Sequence, residues 1–124
     1  TETAELVTNT LDLALLQLNG VKPETMHSDQ GSAYTGGAYS TVLAGNGIQH
    51  SMSRAGTPGD NSPMESFWSH MKDEFFAYHK ASSKTELITL INQYIYWYNN
   101  ERLQQTLNGM TPEKYRNHAI QNCA

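Results

Sequence analysis

Apolar residues first recur at helical spacing near the start of the chain. Val7, Leu11, Ala14, Leu15 and Leu18 share one face of residues 3–18, and Gly20 is placed to end that segment. Residues 21–28 (VKPETMHS) are short, carry Pro23 near their start, and predict a brief strand ending near Asp29. Residues 36–46 (GGAYSTVLAGN) predict a short helix that Gly47 breaks, and residues 48–53 alternate as a strand does. RAGTPGDNSP, residues 54–63, combines two glycines, two prolines and Asp-Asn, the composition of a mobile loop.

A long helix is predicted next. Ser62 is placed as N-cap, Pro63 at the first helical position and Glu65 at the third. Met64, Phe67, Trp68, Met71 and Phe75 then form an apolar stripe. A further helix opens in the same way, with Ser83 as N-cap and Glu86 three residues on, and turns Leu87, Leu90, Ile91, Tyr94, Ile95 and Tyr98 to the core. A last short helix starts near Thr111-Pro112-Glu113 and runs to about His118. Two strands seldom form a stable sheet alone. The pattern therefore reads as an α/β fold, helix-rich and incomplete, with its missing part upstream.

The remaining bulk properties narrow the class. A chain of 124 residues holds one domain, and its apolar and charged fractions are those of a soluble globular protein. No apolar run approaches the roughly 20 residues that span a bilayer, so no membrane association and a cytoplasmic location are expected. Cys123 stands alone, which excludes a disulfide framework and a cysteine-based zinc site. The five histidines make no HxxxH or HExxH pair. A net charge of −4 is not that of a dedicated nucleic-acid clamp, yet it permits an enzyme that grips nucleic acid through metal ions. The chain opens on Thr1, as expected of a piece of a longer protein.

Two carboxylates carry the candidate chemistry. Asp29 follows a predicted strand, in HSDQGSAY; Glu65 lies in the first turn of a predicted helix, in PMESFW; residues 30–64 separate them. Brought together they repel, by roughly 4 kcal/mol at about 4 Å and an effective dielectric near 20. A divalent cation removes that penalty, and carboxylate oxygens suit Mg²⁺. A pair of such ions serves phosphodiester chemistry by activating a water or a 3′-hydroxyl.

Three blocks in order, HSDQGSAYT, GIQHSMSRAGTPGDNSPMESFWSHMKDE and YIYWYNNERLQQTLNGMTPEKYR, resemble the C-terminal part of a bacterial insertion-sequence transposase. The group is the second-open-reading-frame type, related to retroviral integrases. The resemblance covers roughly residues 20–118, and the 35-residue interval is the family's own. It implies a partial ribonuclease-H-like fold lacking the first three strands, with residues 1–82 as core and 83–124 as C-terminal helices. It implies a D, D-35-E site in which Asp29 is the second Asp and Glu65 the Glu, both metal ligands for Mg²⁺ (or Mn²⁺). The first Asp has no counterpart, since Asp12 lies in the predicted N-terminal helix; the chain alone is therefore expected to be inactive. The implied partners are DNA, both element ends and target, and further copies of the chain. Self-association follows from the sheet edge and helix face that an incomplete fold leaves open. The family's Arg-x-His after YNN is here Arg102-Leu103-Gln104.

Simpler readings stand beside these. Asp29 alone is a turn residue before Gly31, and Glu65 alone is half of a capping box with Ser62. Lys72, two turns after Glu65, is either a solvated lysine or a DNA-phosphate contact; Arg54 and Asn61 in the loop are DNA-binding candidates of the same kind. His27 and Ser28 position Asp29. Trp68, Trp97 and the tyrosines of YIYWY are assigned to the core, with stacking on a base as the alternative for an exposed one. A non-catalytic remnant, binding DNA or itself, is the competing function, with a ribonuclease of RNA–DNA hybrids a distant third.

Overall fold

The computed structural model describes residues 3–123. The chain divides into two compact units, Thr1–Glu65 and Ser66–Ala124.

The first unit is α/β. Helix α1 (Ala4–Gln17) starts where the Thr3 hydroxyl accepts the Leu6 N–H at 3.2 Å. It packs on α2 (Ser32–Thr35) and α3 (Gly37–Gly45). Val7 and Leu11 are buried and Leu15 is packed against them, as the spacing predicts. Ala14 and Leu18 are exposed, contrary to that stripe, because α2 and α3 cover only a narrow band of α1. Leu13 and Leu16 are exposed by 63% and 75%, leaving a second apolar strip uncovered within this unit. The four-residue α2 is too short to show a period and was not foreseen.

Strands β1 (Thr25–Ser28) and β2 (Gln49–Met52) pair in parallel, Thr25 opposite Gln49 through Ser28 opposite Met52. The predicted first strand is trimmed at its start. Residues 21–24 lie outside it, and Pro23 among them has no N–H to give to a ladder. Gly47 ends α3 with φ +71°, a left-handed conformation that glycine adopts without strain. Ala33, Tyr39, Leu43 and Ile48 close the core between the helices and the sheet, with Tyr39 edge-on to His50.

The glycine-rich loop is partly ordered. Pro58–Asn61 form a 3-10 turn that runs directly into α4 (Ser62–Met71). Ser62 has φ −55° and ψ −32°, so it is already helical and does not cap α4. The expected Ser62–Glu65 capping box is absent for that reason, since a cap needs an extended backbone.

In the second unit the rest of α4 leads into a π turn, Lys72–Phe76, where the Ala77 N–H reaches the Lys72 carbonyl at 3.0 Å. Helix α5 (Lys84–Asn100) begins as foreseen: the Ser83 hydroxyl accepts the Glu86 N–H at 3.1 Å. The Glu86 carboxylate turns back one residue farther, to the Ser82 N–H at 2.7 Å. Helix α6 (Pro112–Cys123) runs past the expected end at His118. The core is aromatic. Tyr94 is fully buried, ringed by Phe67, Phe75, Trp97 and Tyr98 with centroids 5.5–5.9 Å away. Such pairs contribute about 0.5–1.5 kcal/mol each beyond area burial. Trp68 and Tyr96 depart from the core assignment at 48% and 63% exposure, as does Trp97 at 37%. Helix α5 offers one buried stripe, and Tyr94 already fills it. No helix among the described residues is long and apolar enough to cross a membrane.

Candidate active site

Asp29 stands at the end of β1. Its Oδ1 accepts the Gly31 N–H at 2.8 Å, the turn its sequence context suggests. Among the described residues Oδ2 accepts no hydrogen bond, so one face of the carboxylate stays open. A Cβ built on Gly31 comes within 2.9 Å of Oδ1; the glycine is what lets the carboxylate lie there. Turn former and candidate ligand are thus one geometry, not alternatives.

Beneath Asp29 the two strands carry a polar ladder. His27 Nδ1 pairs with the Ser51 hydroxyl and Nε2 with the Ser53 hydroxyl, both at 3.0 Å. Buried Ser28 pairs with His50 Nε2 at 2.9 Å and donates to the Asp29 carbonyl at 2.8 Å. The expectation that His27 and Ser28 support Asp29 lacked these cross-strand partners. A signal was present: each strand carries a His-Ser dipeptide, and parallel pairing sets His27 opposite Ser51.

Glu65 sits exposed in the first turn of α4. With Ser62 helical, no hydrogen bond or ion pair holds its carboxylate among the described residues. The loop leading to it is closed by Asp60. Its carboxylate accepts the Arg54 backbone N–H, Nε–H and an Nη2 N–H, all at 3.0 Å. The Arg54 guanidinium holds the Asp60 carboxyl below its ordinary range, and the same bond raises Arg54.

These parts meet in one cleft of about 330 Å³, lined by Asp29, Gln30, Gly31, residues 53–58, Asn61 and Glu65. Asp29, Glu65, Arg54 and Asn61 therefore line a single concavity. Lys72 is not among the lining residues; it lies exposed on the π turn of the second unit. Among the described residues no group of three or more His, Cys, Asp or Glu side chains converges on one point. Two open carboxylates are a donor set that suits Mg²⁺, which takes its other ligands from water and phosphate. A larger cleft of about 450 Å³ in the second unit is lined by Glu101, Glu113 and Lys114 among others. It contains none of the candidate site residues.

The second unit holds an ion pair that no local signal foretold. The Arg102 guanidinium grips the Glu74 carboxylate through Nε, at 2.7 Å, and Nη2, and lies 5.4 Å from the Tyr98 ring centre. His70 Nδ1 is 3.3 Å from the same carboxylate. Arg102 lowers the Glu74 pKa, chiefly through these hydrogen bonds. The Tyr94 hydroxyl is buried without a hydrogen bond of good geometry. Burial first, and the nearby Glu74 charge second, push its pKa up to about 12.

Residues 46–112 match one integrase core domain family, and residues 1–58 match a second family of the same description. A transposase-like protein of Haemophilus influenzae is 40% identical over 94% of this chain and 53% of its own length. The transposase for insertion sequence element IS904 of Lactococcus lactis is 37% identical over 73% of this chain and 36% of its own. The chain thus spans about half, or less, of the length of these relatives. Among solved structures, the HTLV-2 integrase catalytic core domain, in complex with magnesium in a dimeric form, superposes with a TM-score of 0.66 at 19% identity. It covers 90% of this chain and 67% of that one. A simian T-cell lymphotropic virus intasome chain gives 0.65 at 17%, over 84% and 37%. At such identity the likeness establishes the fold, an integrase-type, ribonuclease-H-like core, of which this chain is a helix-rich part with a two-stranded sheet. Fold and sequence agree, and the chain belongs to the integrase core domain family; insertion-sequence transposases are among the proteins it is similar to.

Proposed function

We propose that this chain is catalytic-core sequence of a transposase that cuts the DNA ends of a mobile element and joins the freed 3′-hydroxyls to target DNA. The observation that carries the reading is the shared cleft of Asp29, at the end of β1, and Glu65, in the first turn of α4. Each carboxylate presents an oxygen with no protein partner among the described residues. Asp29 and Glu65 would hold the ion, Mg²⁺ or Mn²⁺. Bound there, such ions activate a water or a 3′-hydroxyl and stabilise the leaving oxygen of a phosphodiester. The chain's own part is to set the ligands: the Gly31 amide orients Asp29, and the helical start at Ser62 frees Glu65 from capping. Arg54 and Asn61 on the cleft wall, and Lys72 in the second unit, are proposed contacts to DNA phosphate. The uncovered Leu13 and Leu16 support assembly with further copies of the chain.

A non-catalytic module that binds DNA or itself is the second reading, and the lack of a third converging ligand among the described residues favours it. Paramagnetic Mn²⁺ decides between them. Binding at the proposed site broadens amide resonances around Asp29 and Glu65, and Glu65→Gln abolishes the effect. In a longer chain that also supplies the first Asp, Mg²⁺-dependent nicking of duplex DNA lost in Glu65→Gln completes the case. Salt-sensitive DNA binding with no metal effect and no cleavage would establish the module instead.

A further inference from the structure

Arg54 is both a wall of the cleft and the partner of Asp60. An exposed ion pair is ordinarily worth little. This one differs in form. One carboxylate accepts three hydrogen bonds from one residue: two from the guanidinium fork and one from the backbone N–H. The fork spends Nε–H and one Nη2 N–H; three of the five guanidinium donors remain. Asp60 is largely covered, with 25% of its side chain exposed, whereas Arg54 is 79% exposed. The carboxylate therefore sits on the inner side of the guanidinium and leaves the outer edge to solvent.

We infer that Asp60 is a positioning residue, which holds the Arg54 guanidinium at the cleft wall with its free N–H edge set to receive a phosphate group. A planar guanidinium with one edge fixed and one edge free is preorganised for a second oxyanion, because its direction is already chosen. The ordering entropy of a long side chain is then lost on folding rather than on binding. The inference rests on the nucleic-acid reading above and adds to it why an acidic residue belongs beside a site for anions.

That placement gives a test of sign. Charge alone predicts that removing Asp60's negative charge strengthens binding to a polyanion. Positioning predicts the reverse. The 124-residue chain is titrated into a fluorescent DNA duplex at several salt concentrations. Asp60→Asn is expected to weaken binding several-fold, and Arg54→Lys, which keeps the charge but not the fork, likewise. Arg54→Ala lowers the salt slope by about 1, and in that background Asp60→Asn no longer weakens binding. Tighter or unchanged binding by Asp60→Asn overturns the inference. If the wild-type chain binds no duplex, the nucleic-acid reading fails, and the Arg54 Nε–H resonance decides the positioning role by itself. A shift on adding inorganic phosphate to wild type but not to Asp60→Asn upholds it. No shift, or equal shifts, overturns it.

Discussion

Replacing Arg102 by Ala should destabilise the second unit, and the loss should depend on pH in a defined way. Arg102 and Glu74 are 18% and 30% exposed, so their pairing is partly shielded from water. Two charge-assisted hydrogen bonds join them, and bonds of that type contribute about 1.5–3 kcal/mol. The pair acts as a unit, and Glu74 keeps some access to water and to His70, 3.3 Å away. The expected cost is thus that of one strong bond, about 2–3 kcal/mol, below the about 3–5 of a fully buried pair. In a domain this size that lowers the melting temperature by roughly 6–15 °C. Glu74 has a folded pKa below its ordinary 4.5. Its stabilisation is therefore fully present above that value and is lost as pH falls through the lowered folded pKa. Urea unfolding of wild type and Arg102→Ala, followed by circular dichroism, should show a wide gap at neutral pH that narrows below 4.5. A gap of equal size across that range would refute the assignment to Glu74 and point to Arg102 packing on Tyr98.

Three further outcomes are expected. Tyr94→Phe removes a buried hydroxyl that lacks a well-made hydrogen bond, so stability in urea should hold or rise by up to about 1 kcal/mol; a comparable loss would mean that the hydroxyl is bonded to Glu74. Ser83→Ala removes the α5 cap and should cost about 1 kcal/mol in the same assay, whereas Ser62→Ala, at a position that caps nothing, should stay within about 0.5 kcal/mol. Gly31→Ala forces the Asp29 carboxylate aside, since its Cβ meets Oδ1 at 2.9 Å. It should leave the unfolding midpoint nearly unchanged while weakening Mn²⁺ broadening near Asp29, and unaltered broadening would show that the Gly31 contact does not orient the ligand.

Local signals were legible where their physics is local. The Ser83 cap, the break at Gly47 and the two strand centres follow from residues within a turn or two of one another, and each is present. The same kind of signal failed at Ser62. There Ser, Pro and Glu have capping spacing, but the 3-10 turn over Pro58–Asn61 delivers the chain already helical. A cap depends on the backbone that enters it, which the motif itself does not encode. The aromatic run at 94–98 failed differently. Period alone places Tyr94 and Tyr98 on one face, but how much of Tyr96 and Trp97 is covered depends on what packs there.

The sequence by itself determined the family, through three ordered blocks, and offered Asp29 and Glu65, with their interval, as candidate ligands. It also determined most elements, because periodicity, glycine and proline act over a few residues. Only the tertiary structure decided what those carboxylates face. It brought Asp29 and Glu65 to one cleft, tied Arg54 to Asp60 on its wall, and joined His27 to Ser53 across 26 positions and Arg102 to Glu74 across 28. Such pairings leave no periodic trace along the chain. They exist because strand register and chain packing bring distant polar groups together, and at Arg102 and Glu74 partial burial makes each partner depend on the other.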